Sequence, residues 1–161
     1  MTETSPPVLR TALVEDAALV AQLLRDFNRE FDEPTPPVEQ LTDRLAQLIA
    51  GGETVVLLVN EEPDGVAVLR FRPALWSNCL ECYLAELYVR PPRRGRGLGR
   101  ALMEAALHEA RERGADRMEI AVDGPDLVAR HLYESMGFSN RSGVGTGPIM
   151  YFYELEFPSR R

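Results

Sequence analysis

The chain has 161 residues, 45% of them hydrophobic, which is the size and composition of one folded domain and excludes a disordered chain. No apolar run approaches the roughly 20 residues that span a bilayer, so no membrane partner is expected. The formal charge is -7, and all 18 basic residues are arginine. With no lysine, a Walker A loop and Schiff-base catalysis are both excluded.

The opening MTETSPP has neither a positive n-region nor an apolar h-region, so no secretory leader is read and the cytoplasm is the expected compartment. Val8 to Ala12 reads as a first strand. A helix follows, with Asp16 able to cap it and Val20, Leu23, Leu24, Phe27 and Phe31 at helical spacing. After the polar, proline-rich FNREFDEPTPP, Pro37 suits the first turn of a second helix with Val38, Leu41, Leu45, Leu48 and Ile49 on its apolar face. Gly51 and Gly52 stop it. TVVLLVN and GVAVLRF flank the turn EEPD as a hairpin, and a longer strand runs from about Leu80 to Val89, ended by Pro91 and Pro92.

Beyond an arginine-rich stretch, Leu98, Ala101, Leu102, Ala105, Ala106 and Ala110 form the stripe of a third helix, with Gly114 as its C-cap. RMEIAV is a short strand. Pro125 and Asp126 open a helix carrying Leu127, Val128, Leu132 and Met136 inward, stopped by Gly137. GFSN and PIMYFYELEF read as a last pair of strands around RSGVGTG, and the second offers aromatic surface for a homodimer. The order is β-α-α-β-β-β-α-β-α-β-β. No linker divides it, so the expectation is one α+β domain over residues 1–161 with a single mixed sheet flanked by helices.

Cys79 and Cys82 form a C-x-x-C within LWSNCLECYLAELYV, which reads as strand. A structural zinc site wants four ligands, and His108 and His131 sit at no zinc-like spacing. A thioredoxin-type pair opens a helix, whereas residues three apart on a strand point to opposite faces. The pair is read as two packed thiols, the two histidines as structural, and no metal is expected.

Arg90, Arg93, Arg94, Arg96 and Arg100 fall in one eleven-residue window without an acid, so the window carries +5 and the rest of the chain -12. A nucleic-acid surface usually makes a whole domain basic, so the island suggests a small anionic ligand and no nucleic acid. Its sequence, Arg94-Gly95-Arg96-Gly97-Leu98-Gly99-Arg100, joins a strand to a helix N-terminus, where unpartnered N–H groups and the macrodipole favour phosphate. Glycine lets a ligand approach the backbone, and arginine forks suit phosphate oxygens. A pyrophosphate fits both. Read from Gly95 and Gly97 the Rossmann pattern meets Arg100, which is bulky where close helix–strand packing is needed, so a dinucleotide is disfavoured.

The segment instead resembles the R/Q-x-x-G-x-G/A motif of the Gcn5-related N-acetyltransferase (GNAT) superfamily, met by Arg94, Gly97 and Gly99. LAELYV is similar to the family's strand beside the pantetheine, ARHLYESMGF to its later helix and aromatic turn, and the element order is the family's. Where the family often has N-x-x-A-x-x-x-Y, this chain has Asp126, Ala129 and Tyr133. The resemblance implies that the amides of residues 94–100 hold the pyrophosphate of acetyl-CoA. It also implies that Leu87, Tyr88 and Val89 run beside the pantetheine and that Asp126 takes the place of the asparagine.

Acetyl transfer to an amine needs a neutral amine, a stabilised oxyanion and a proton for the thiolate. By resemblance Tyr133 is the general acid and the Val89 N–H the oxyanion donor; a packed core aromatic is the alternative for Tyr133. Glu86 stands among apolar neighbours, where a carboxylate is costly unless partnered or used. It is the candidate general base, and an arginine-paired glutamate at a sheet edge is the alternative. Glu30, Asp32 and Glu33 lie in the connector that borders the family's acceptor cleft. They read as a solvated acidic loop; attraction of a cationic amine is the alternative. The expected function is acetyl transfer from acetyl-CoA to a primary amine of a small molecule or peptide. A non-catalytic acyl-CoA-binding regulatory module is the alternative.

Overall fold

The computed structural model describes residues 6–158. The first five residues, which carry most of the segment read above for a leader, lie outside them. In chain order the elements are β1 (Leu9–Thr11), α1 (Ala17–Glu30), α2 (Val38–Gly51), β2 (Thr54–Val59), β3 (Gly65–Pro73), β4 (Leu80–Val89), α3 (Leu98–Glu112), β5 (Ala115–Ile120) and α4 (Leu127–Ser135). Short 3-10 turns at Val14–Asp16 and Pro91–Arg93 precede α1 and α3. The contacts divide into two compact units, one through Ile120 and one from Ala121 onward.

In the first unit the strands lie in the order β1-β2-β3-β4-β5. β1 to β4 are antiparallel neighbours and β4–β5 is parallel, so the sheet is mixed. TVVLLV and GVAVL are continuous apolar runs because β2 and β3 are covered on both faces. On one face Val56, Leu58, Val66, Val68 and Tyr88 form a core with Val20, Leu23 and Leu45 of α1 and α2. α3 packs against β2, β3, β4 and β5 with Leu102, Met103 and Ala106 fully buried. β3 opens on glycine because a Cβ at Gly65 would stand 2.7 Å from the Tyr88 carbonyl oxygen.

One end of the sheet is tied by charge. Arg72 of β3, Glu81 of β4 and Arg117 of β5 stand opposite one another across three strands. Arg72 Nε donates to Glu81 Oε2 at 2.6 Å, and Arg117 donates to Glu81 Oε1. These bonds, Arg72 first and then Arg117, hold the Glu81 carboxyl below its ordinary pKa. A depressed pKa stabilises the fold above the unfolded value, and that stability is lost as pH falls through the folded one. Glu81→Gln is therefore expected to lower the Tm at pH 7 and to converge with the unmodified protein as the pH falls below the folded pKa; thermal melts from neutral into acid pH check it.

The outcome differs from the sequence expectation in four of its elements and at Cys79, expected to be buried or half-buried and in fact exposed just outside β4. Asp16 does not cap α1: its carboxylate accepts from the Leu13 amide at 2.8 Å and from both Arg10 terminal nitrogens, an ion pair six residues away that pattern reading does not weigh. Phe31 lies just past the end of α1, exposed, with its ring edge-on to Phe27. In the second unit Leu127 and Val128 are exposed. They lie roughly 120–140° around the helix from Tyr133, the buried residue of α4, at 100° per residue. The two final strands, GFSN and PIMYFYELEF, are not formed. A strand exists only as half of a ladder, and here the pairing is one bridge, Arg141 to Ile149, beside a turn with Gly143 and Val144 in left-handed conformation. Tyr151, Phe152, Tyr153, Leu155 and Phe157 are exposed.

Candidate active site

β4 and β5 pair from Leu80 and Ala115 as far as Leu84 and Ile120, where β5 ends; β4 runs on to Val89. On the other side, the β3 register steps from Glu86 opposite Val68 to Leu84 opposite Leu69, so Ala85 is an extra residue in β4. Such a bulge bends its strand and increases the twist. Beyond it, Glu86–Val89 is paired with β3 alone among the described residues.

The direction of the free groups follows from the ladder. The Arg90 N–H donates to the Asp64 carbonyl at 2.8 Å. Hydrogen-bonded pairs alternate along an antiparallel ladder, so Leu87 and Val89, opposite Ala67 and Gly65, turn their N–H and C=O groups away from β3. The Val89 carbonyl accordingly accepts from Arg94 Nε at 2.9 Å on that side.

This edge runs into the glycine loop. Gly95 and Gly97 have φ of 74° and 79°, and a Cβ on either would meet nothing within 4 Å, so backbone conformation rather than crowding requires glycine there. Gly97 is the N-cap of α3 and no side chain caps the helix. The first turn of a fifteen-residue helix thus begins without a side-chain cap, with the positive end of the macrodipole there. An amide edge leading to an uncapped helix N-terminus fits a ligand with an amide-bearing arm and a pyrophosphate.

The arginine island is partly neutralised by partners. Arg93 Nε pairs with Asp64 at 3.1 Å. Arg94 gives both terminal nitrogens to the Glu30 carboxylate, at 2.6 and 2.8 Å, and its guanidinium lies 5.7 Å from the centre of the Tyr88 ring. Tyr88 is buried and stacked on Phe27 of α1, with centroids 5.0 Å apart. Its hydroxyl pKa is pushed up by burial, then by the charges of Glu30 and Asp26, against the opposing pull of Arg94 and Arg90. The Glu30–Arg94 pair was not legible in the sequence: its members are 64 positions apart, and charge complementarity was the only signal.

Glu86 shares the Tyr88 face of β4, half-buried, and its carboxylate makes no hydrogen bond or ion pair among the described residues. Burial raises its pKa. The arginine-paired alternative is not formed. Glu86, Leu87, Tyr88, Val89 and residues 94–100 thus come together in the first unit.

Tyr133 and Asp126 belong to α4 in the second unit. The Tyr133 side chain is buried, edge-on to Phe138 at 6.1 Å, and its hydroxyl is pushed up to about 12 by burial and then by the Asp126 charge. The Asp126 carboxylate caps α4, accepting the Ala129 N–H at 3.0 Å. Cys79 is exposed, whereas Cys82 is buried, its thiol pushed up to about 11 by that burial. His108 and His131 are exposed. Among the described residues no group of three or more His, Cys, Asp or Glu side chains could hold a metal, and no helix is long and apolar enough to cross a membrane.

Residues 18–138 match the model of the acetyltransferase (GNAT) family. A mycothiol acetyltransferase of Kineococcus radiotolerans is 37% identical over 128 residues, covering 78% of this chain and 39% of that protein. The chain thus spans well under half the length of that relative. A crystal structure assigned as an acetyltransferase from Arthrobacter sp. FB24 is 48% identical with a TM-score of 0.86, covering 97% of this chain and all of that one. An aminoglycoside acetyltransferase from an uncultured soil sample, solved with sisomicin, covers 94% of this chain and 97% of its own at a TM-score of 0.74; at 18% identity it shares the fold.

Proposed function

The chain belongs to the acetyltransferase (GNAT) family, and from that premise we propose that it is a single acetyltransferase domain that moves an acetyl group from acetyl-CoA to a primary amine of a small molecule or peptide. The observation that carries this reading is the unpaired Leu87–Val89 edge leading into the uncapped N-terminus of α3. Acetyl-CoA supplies an activated thioester. Every other element of the chemistry is assigned to the chain's own residues.

The amides of residues 94–100 bind the pyrophosphate, with Arg96 and Arg100 adding positive field. Leu87, Tyr88 and Val89 run beside the pantetheine, and the Val89 N–H donates to the oxygen on which negative charge develops. Glu86, ionised above its raised pKa, takes a proton from the ammonium of the acceptor, directly or through water. Tyr133 stays protonated throughout the physiological range and gives its proton to the departing thiolate. Asp126 holds the start of its helix. The names of the relatives, acetyltransferases of mycothiol and of aminoglycosides, support acetyl transfer to a small molecule. A cytoplasmic location, no nucleic-acid or membrane partner, and a homodimer through the exposed C-terminal aromatic residues complete the proposal.

Acetyl-CoA at about a hundred times its Kd is expected to stabilise the fold by about 2.7 kcal/mol, a Tm rise of about 5–10 °C for a chain this long. Thiol release across polyamines, amino acids, aminoglycosides and peptide N-termini then identifies the acceptor. No thermal shift would overturn the proposal. A shift without turnover of any amine would mark a module that binds acyl-CoA and does not react it.

A further inference from the structure

Arg94 is the motif arginine, yet its side chain folds back from the glycine loop. Nε reaches the Val89 carbonyl across the Pro91–Arg93 turn, and the two terminal nitrogens close on Glu30 at the last residue of α1. Its planar face lies against Tyr88, which is itself stacked on Phe27 of the same helix. At least three of its five N–H donors are therefore committed to the end of β4 and to α1. An arginine so held braces the backbone it belongs to, and its fork is not presented to a phosphate.

We propose that Glu30 is a positioning residue: with Arg94 it forms a clasp that fixes the start of the glycine loop against the end of α1, and so sets the geometry in which the loop amides receive the pyrophosphate. The inference rests on the reading of that loop as the acetyl-CoA site. The pair is a third to a half exposed, with side-chain exposures of 29% for Glu30 and 44% for Arg94, so it contributes little to global stability. Its effect is local, because Gly95 and Gly97 on either side of Arg96 leave the loop without stiffness of its own. Glu30 also ends α1 next to the acidic connector, so the clasp links that connector to the phosphate loop.

The test is a double-mutant cycle read by calorimetric titration with acetyl-CoA, using Glu30→Gln, Arg94→Ala and the pair together, with a thermal melt of each. The clasp predicts that each single variant loses affinity by roughly two- to fivefold, the scale of an exposed ion pair. It also predicts that the double variant loses no more than either single one, with Tm values held within about 2 °C, as for surface changes. If Arg94 were instead a direct phosphate ligand, Glu30→Gln would bind acetyl-CoA as well as or better than the unmodified protein, and Arg94→Ala would lose far more; that pattern overturns the clasp. Additive losses in the double variant overturn it as well. If the unmodified protein takes up no acetyl-CoA, the functional reading falls and the clasp with it. If it binds and Glu30→Gln keeps the same affinity, the clasp alone falls.

Discussion

Tyr133→Phe is expected to lower kcat by roughly 10²–10⁴-fold, the usual contribution of a positioned general acid, while acetyl-CoA affinity and Tm stay close to their original values. The substitution removes one hydroxyl oxygen and keeps the ring that packs edge-on to Phe138. Burial and the Asp126 charge hold the hydroxyl pKa up at about 12, so the proton is present across the physiological range and no alkaline limb near neutrality should come from this residue. Single-turnover thiol release with a saturating amine measures the step directly. An unchanged kcat would assign Tyr133 to packing alone.

Glu86→Gln is expected to reduce kcat/KM by roughly 100-fold at neutral pH and to alter the shape of the pH profile. A general base works deprotonated, so its contribution is present above its pKa and vanishes below it. Burial raises that pKa, which moves the acid limb above the roughly 4.3 of an ordinary glutamate. The limb should disappear in the variant. Stability should move the other way. A folded pKa raised above the unfolded one means that the native state favours the proton, with stability full at low pH and lost as pH rises through the folded value. Glutamine lifts that burden at pH 7, so the variant should melt no lower than the unmodified protein. Lost activity with retained or raised Tm is the signature of a carboxylate kept for chemistry.

The parts of the fold written in local pattern were the parts legible in the sequence. Leu80–Val89, the helical stripe from Leu98 and the hairpin around EEPD all rest on periodicity or turn chemistry within a few residues. The glycine loop was legible for the same reason, since Gly95 and Gly97 take left-handed conformations that glycine adopts without strain. What escaped was set between distant positions. The Asp16 carboxylate belongs to Arg10 and Leu13 rather than to α1, and Arg94 belongs to Glu30, because an ion pair leaves no periodicity behind. The aromatic-rich run of PIMYFYELEF signals β propensity, but it does not supply the partner strand on which a ladder depends.

The unpaired stretch of β4 has a consequence for solubility as well as for binding. An open strand edge offers its N–H and C=O groups to any other chain, and long, flat edges are where proteins stick together. In β4 the open edge runs only over Glu86–Val89 among the described residues, between the bulge at Ala85 and Pro91 and Pro92, with the Val89 carbonyl taken by Arg94 and the Glu86 carboxylate within the stretch. Proline ends the run of donors, twist spoils the flatness, and a carboxylate repels an apolar intruder. The same three devices make this edge a poor template for another protein's strand.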